Sequence, residues 1–254
     1  MKVVIITQDD PFYLAKNIDY LLDQLPKDIE VPACVLFDVS PFGKKESFFQ
    51  KLKKTWKIFG IAFVINYGFS FIKNRFSPET KIRKVLNKRN IPIIELEKAI
   101  NNPESLKIIN SFEPDVLVSI AGNQIFKKPL IELAPKGCIN LHTALLPKYR
   151  GLMPSFWVLK NEEEKTGVSV FFVDEGIDSG PIIVQKEVVI GDMTQKELIN
   201  YTKRLGMDAI KEALVAIKED AVKVIPNPQE RMTYFSFPTK NDVKEFKKAG
   251  KKFY

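Results

Sequence analysis

Residues 115–121 read DVLVSIA, and within them Val116, Leu117, Val118 and Ile120 leave an extended chain no polar face. A strand that is apolar on both sides is stable only where both sides are covered, the condition of a central parallel strand between two layers of helices. Runs of the same character recur at 2–7 (KVVIIT), 31–37 (VPACVLF), 91–95 (IPIIE), 137–142 (GCINLH), 166–173 (TGVSVFFV) and 181–190 (PIIVQKEVVI). Helix-patterned segments separate several of them. DDPFYLAKNIDYLLDQL predicts a helix with Asp10 as N-cap and Pro11 at its first position, and IFKKPLIELA predicts a short one over 125–134. A long helix is expected over 193–220, with Thr194 as cap and Glu197 three residues later, and a short one after Thr239 in the tail. Alternating apolar strands and helices predict an α/β chain with a Rossmann-like open, mostly parallel sheet and a short C-terminal helical extension. The expected division is a sheet domain over 1–190 and a C-terminal helix and tail over 191–254.

The rhythm breaks over about 41–89, which reads as an insertion. Between Lys44 and Arg89 thirteen Lys/Arg face only Glu46 and Glu79, a local balance of +11 in a chain whose net charge is +8. The tail from Lys240 adds +4, so the rest of the chain is acidic. Within the insertion, the fifteen apolar-rich residues from Ile58 to Ile72 fall short of the roughly 20 that a spanning helix needs. Asn66, Gly60 and Gly68 weaken a spanning helix further. The segment is expected to pack on the domain as helix, with a membrane-surface or partner-binding role as the alternative that its basic flanks raise.

Other classes fit poorly. The opening MKVVIIT runs straight into a strand without a secretory pattern, and Cys34 and Cys138 lie in strand-like runs, so a cytoplasmic protein is expected. The first strand leads into TQDDPF, whose carboxylates would repel a pyrophosphate, and no GxGxxG or GxxxxGK[ST] is present. No His/Cys cluster has metal-ligand spacing, so no metal is expected. No GxSxG elbow presents a serine to the single histidine, His142.

That histidine is the sharpest local feature. In CINLHTALLPKYRG, period-two alternation puts Asn140 and His142 on one face and Leu141 on the other, near the C-terminal end of a strand. Ligands of open α/β sheets bind at that edge. Further on, VDEGIDSGPII forms a second strand-to-loop passage in which Asp178 lies between Gly176 and Gly180. If the two strands are neighbours, an amide, an imidazole and a carboxylate share one crevice. Spacing alone also allows a structural histidine in the core and an Asn140 that caps a loop.

The ordered set Asn140-x-His142-x-x-Leu145-Leu146-Pro147-x-Tyr149-Arg150-Gly151, Pro154, Thr166-Gly167-Val168 and Gly176-Ile177-Asp178-Ser179-Gly180-Pro181 resembles the formyltransferase family, clearly from about Asp115 to Ile190. The resemblance implies the formyltransferase fold and transfer of a formyl group from 10-formyltetrahydrofolate to a primary amine, without metal. Asn140, His142 and Asp178 are then the catalytic set: an amide for the oxyanion, a base that moves protons, and a carboxylate that orients the imidazole. Folate contacts are expected from Gly122, Asn123, Gln124, Ile125 and Phe126 and from Asp174, Gly176 and Ile177. Acceptor contacts are expected from Arg150, Gly151 and Pro154. Thr143-Ala144 departs from the family pattern at those two places.

An amino sugar or other small amine is the expected acceptor. The tRNA enzymes of the family carry a further C-terminal β-barrel, for which the sixty or so residues after Gly191 are too few. Methionyl-tRNA and glycinamide ribonucleotide are the alternative acceptors. Hydrolysis of the donor and non-catalytic binding of folate or nucleotide are the alternatives of other classes. The hydrolases carry an N-terminal domain that a start at MKVVIIT leaves out. The tail aromatics Tyr234, Phe235 and Phe237 are expected to pack within the chain, or else to join a homodimer.

Overall fold

The computed structural model describes residues 1–39, 47–76 and 81–254. Residues 40–46 and 77–80 of the expected insertion lie outside the described residues. The strands are β1 (Lys2–Gln8), β2 (Glu30–Phe37), β3 (Ile93–Ile94), β4 (Val116–Ile120), β5 (Cys138–His142), β6 (Arg150–Gly151), β7 (Lys165–Phe172), β8 (Ile182–Val189) and β9 (Tyr234–Phe235). Among the described residues seven of them form one sheet in the order β3-β2-β1-β4-β5-β7-β8. Pairing is parallel from β3 to β5 and antiparallel across β5, β7 and β8. This is the mostly parallel sheet that the doubly apolar strands predict.

The helices are α1 (Leu14–Gln24), α2 (Phe48–Phe59), α3 (Ile61–Phe76), α4 (Ile82–Lys88), α5 (Pro103–Asn110), α6 (Lys128–Ile131), α7 (Pro154–Lys160), α8 (Gln195–Lys218) and α9 (Lys240–Lys248). Strand alternation divides the core between the two sides of the sheet. Val3 and Ile5 of β1 join Ile18 of α1 and Ile210 of α8, whereas Val4 and Ile6 join Ile109 of α5 and Leu130 of α6. Leu141 of β5 belongs to the first cluster, so Asn140 and His142 point away from it. A third cluster gathers Phe156 of α7, Phe246 of α9 and Phe253, and Phe59 closes it from the insertion.

Three element boundaries differ from expectation. Helix α1 begins at Leu14 rather than at Pro11, because the Asp10 carboxylate accepts the N–H groups of Phe12, Tyr13 and Leu14 and holds a turn before the helix. Helix α6 is confined to Lys128–Ile131, since Ile125 O accepts from Asn101 Nδ2 and Lys127 N–H donates to Asn101 Oδ1. Those backbone groups are thereby bonded outside any helix. The IPIIE run narrows to two residues at the sheet edge. The capping boxes at Thr194–Glu197 and Thr239–Asp242 start α8 and α9 where the sequence predicts.

Among the described residues the insertion forms α2, α3 and α4, the first two separated at Gly60, whose φ of 88° belongs to the left-handed region. It packs on the domain as expected. Phe63 lies 5.1 Å from Phe253, Tyr67 lies 4.7 Å from Phe12, and Asn74 Nδ2 donates to Pro11 O at 3.0 Å. Among the described residues no helix is long and apolar enough to cross a membrane. In the tail, β9 pairs with β6, and Phe235 stacks on Tyr149 at 5.3 Å and on Trp157 at 4.6 Å, so this aromatic packs within the chain.

Cys34 and Cys138 lie inside the sheet, and burial pushes each thiol up to about 12. A thiol reacts as its thiolate. Both are therefore expected to resist a disulfide reagent at neutral pH in the native protein and to react fully in denaturant. Fast native labelling of either would contradict this packing.

Candidate active site

The strand order reverses between β1 and β4, where helices leave the sheet on opposite sides and open a crevice at the C-terminal strand ends. A cavity of about 500 Å³ lies there. Gln8 at the end of β1, Ala121 and Gly122 after β4, and Asn140 and His142 of β5 line it. The 174–178 loop and one face of α8 complete the wall.

His142 is 6% exposed and sits opposite Ser169 of β7. Its Nε2 lies 2.8 Å from Tyr149 O. A carbonyl oxygen only accepts, so Nε2–H donates there, and Nδ1 is the nitrogen left to exchange a proton. Nδ1 faces Asp178 Oδ2 at 3.5 Å. The same Oδ2 accepts the Gly151 N–H at 2.8 Å, which fixes the carboxylate beside the ring. Asp178 itself takes a left-handed backbone, φ 49°, and Asn227 Nδ2 donates to both Asp178 O and Gly180 O at 2.9 Å. Gly180 admits no side chain, because a Cβ there would strike Phe172 O. Beneath the histidine, Ser169 Oγ donates to Ala144 O at 2.8 Å and accepts the Leu146 N–H at 3.1 Å, while Gln185 Nε2 donates to Leu146 O. The loop that follows β5 is thus held from the neighbouring strand.

Most expected residues converge on this cavity. Asn140, His142 and Asp178 line it, as do Gly122, Gln124, Ile125, Phe126, Asp174, Gly176, Ile177, Gly151 and Pro154. Ile125 and Ile177 stand at its mouth, 60% and 47% exposed. Asn123 is absent from the lining: its Nδ2 donates to Asp38 O at 2.7 Å, turning the side chain toward β2.

Arg150 is also absent from the lining. It is 2% exposed, and its guanidinium donates to Gln229 Oε1 at 2.6 Å and to Asn227 Oδ1 and O at 2.8 and 3.1 Å. Burial lowers its pKa, and the negative charges of Asp178 and Asp174 oppose that shift. Its backbone N–H donates to Thr233 O, and Leu152 N–H to Phe235 O. The 227–235 segment therefore braces the loop that presents Gly151 to Asp178. This link joins residues nearly eighty positions apart and has no local signature.

Lys203 of α8 is a lining residue that the sequence reading missed. Gln195, Ile199, Thr202 and Lys203 share one helix face at i, i+4, i+7 and i+8, and that spacing was available as a signal. Burial pushes the Lys203 ammonium down from its ordinary value, with Asp10 across the cavity opposing. Among the described residues no group of His, Cys, Asp and Glu is arranged to hold a metal.

An amide, a proton-exchanging imidazole and a fixed carboxylate beside a largely apolar cleft suit acyl transfer: one group for an oxyanion, one for the proton, one for orientation. The chain belongs to the formyl transferase family, whose sequence profile matches residues 74–214, more than half of its length. A methionyl-tRNA formyltransferase of Kosmotoga olearia is 33% identical over 169 residues, 65% of this chain and 53% of that protein. The chain spans about half the length of the curated relatives it matches. Among solved structures, glycinamide ribonucleotide transformylase 1 of Symbiobacterium toebii superposes with a TM-score of 0.62 at 15% identity, covering 89% of this chain and 92% of that one. The N-formyltransferase of Helicobacter canadensis, solved with folinic acid and dTDP-3-aminofucose, gives 0.57 at 18% identity, covering 93% and 71%. These structural likenesses establish the formyltransferase fold.

Proposed function

We propose that this chain transfers a formyl group from 10-formyltetrahydrofolate to the primary amine of an amino sugar or other small molecule. The observation that carries the reading is the meeting of Asn140, His142 and Asp178 at the switch-point cavity. The donor supplies an electrophilic formyl carbon on N10. The cavity fits such a ligand: about 500 Å³, with Ile125, Phe126 and Ile177 on its apolar side and the backbone of the 122–126 and 174–178 loops beside them. Those two loops would hold the pterin.

Asn140 turns its amide N–H groups toward the oxygen on which negative charge gathers as an amine adds. His142 takes the proton of the adding amine at Nδ1, because Nε2–H is committed to Tyr149 O, and returns it to the folate N10 as the formyl–N10 bond breaks and tetrahydrofolate leaves. Asp178 keeps the ring in that orientation, and the Gly151 N–H keeps Asp178 in place. Donor and acceptor filling the cleft would displace water, which would divert the formyl group to formate. On the acceptor side Gln8, Asp10, Thr202 and Lys203 offer polar and charged groups suited to a small hydroxylated amine. The Helicobacter canadensis neighbour, solved with a folate and an amino-sugar nucleotide, supports both halves of the reading.

A second reading has its own support: the curated relatives of about one-third identity are methionyl-tRNA formyltransferases. Incubating the protein with 10-formyltetrahydrofolate and, separately, amino-sugar nucleotides, glycinamide ribonucleotide and methionyl-tRNA decides between them. A formylated amino sugar, identified by mass, is the expected product. Formylation of methionyl-tRNA alone would transfer the acceptor to the second reading, and formate release without any formylated amine would contradict both.

A further inference from the structure

The outer face of the α2–α3 insertion takes no part in the cavity and presents an apolar surface to water. Phe49, Trp56, Ile61, Ile65, Phe69 and Ile72 are all more than half exposed, Phe49 and Phe69 at 79% and 76%. They are ordered rather than scattered. Ile61, Ile65, Phe69 and Ile72 follow each other at four, four and three residues, one stripe along α3. Phe49 and Trp56 lie two turns apart on α2. Contiguous patches of this kind mark a surface that meets something else.

Charge identifies what that is. Residues 47–76 contain no aspartate or glutamate, and they carry Lys51, Lys53, Lys54, Lys57, Lys73 and Arg75. Lys53 and Lys57 fall at i+4 steps from Phe49, and Lys73 follows Ile72, so cations stand beside the apolar side chains. From there a lysine stem can lie along apolar surface while its ammonium reaches outward. We infer that the α2–α3 face docks on the surface of an anionic lipid bilayer, its apolar stripes entering the headgroup boundary and its lysines meeting lipid phosphates.

Two other occupants fit less well. A second copy meeting this face with its own would bring Lys53, Lys57 and Lys73 against the same lysines of its partner, and residues 47–76 hold no carboxylate to separate them. Nucleic acid would satisfy the lysines but offers nothing to Ile61, Ile65 and Ile72, since its binding faces rely on aromatic stacking and phosphate contacts. The docking face adjoins the cavity wall through Phe12, which contacts Tyr67 and Phe71 and precedes the lining residue Tyr13. Docking is independent of the proposed catalysis and is tested without it.

The full chain is to be sedimented with vesicles of equimolar phosphatidylglycerol and phosphatidylcholine, and with pure phosphatidylcholine. Pelleting with the anionic vesicles, a blue shift of Trp56 emission, and weak pelleting with the neutral ones are expected. Trp157 is buried against Phe235, so the shift reports Trp56. Ile65→Glu/Phe69→Glu changes only exposed positions and should keep the thermal midpoint while losing at least tenfold in vesicle affinity. Lys53→Gln and Lys57→Gln should each lose about fivefold. Absence of pelleting, or pelleting unchanged in Ile65→Glu/Phe69→Glu, overturns the inference. So does a dimer, or a tRNA complex, that this double variant abolishes while vesicles are ignored.

Discussion

Replacing His142 with alanine lowers formyl transfer by about 10² or more, and the loss appears in kcat rather than in the KM for the folate donor. The separation follows from the site. The imidazole contacts Tyr149 O and Asp178, the last residue of the 174–178 loop, and the Gly151 N–H still holds that carboxylate in place when the ring is removed. Donor affinity survives while the proton has nowhere to go. Asp178→Asn tests the same machinery more gently. The amide oxygen can still accept the Gly151 N–H, so the loop keeps its shape, but the charge beside Nδ1 is gone. A loss of comparable size is expected, and the double variant should be little worse than the poorer single one, because the residues act as a unit. Steady-state kinetics with saturating donor measure each of these. A His142→Ala protein with wild-type kcat would remove the mechanism.

Arg150→Ala is expected to destabilise the protein by about 3 kcal/mol, and to lower kcat through displacement of Asp178 rather than through loss of acceptor binding. The guanidinium is sealed from water and donates to three oxygens of Asn227 and Gln229. Truncation strands those acceptors. It also frees Asn227, which donates to Asp178 O and Gly180 O. An arginine that bound the acceptor would behave differently, raising the acceptor KM and leaving thermal stability unchanged. Thermal unfolding and the kcat–KM split together separate the roles. A variant as stable as wild type with a raised acceptor KM would restore the substrate-binding role expected from the sequence.

The contrast between His142 and Arg150 marks what a sequence carries. Strand alternation put Asn140 and His142 on one face, and the structure finds both in the cavity, because a period of two is a local property of backbone geometry. Helices α8 and α9 begin at the caps expected for them, Thr194 and Thr239. Helix α1 did not, since Asp10 bonds three successive N–H groups and holds a turn there instead. Arg150 was expected to contact the acceptor. What turns it inward is a segment close in space and distant along the chain, which no local pattern encodes. Asn123 was lost to the same kind of contact, through Asp38 O. Lys203 is the opposite case: its stripe with Gln195, Ile199 and Thr202 was legible, but nothing in α8 alone indicated that this face meets a cavity.

The central claim is that the Asn140–His142–Asp178 set delivers a formyl group to an amine. Its most direct test gives wild-type and His142→Ala protein an isotopically labelled 10-formyltetrahydrofolate with an amino-sugar nucleotide, and weighs the nucleotide afterwards. The account predicts labelled formamide formed by the wild type and essentially none by the variant in the same time. Equal product from both proteins, or label recovered only as formate, would contradict it.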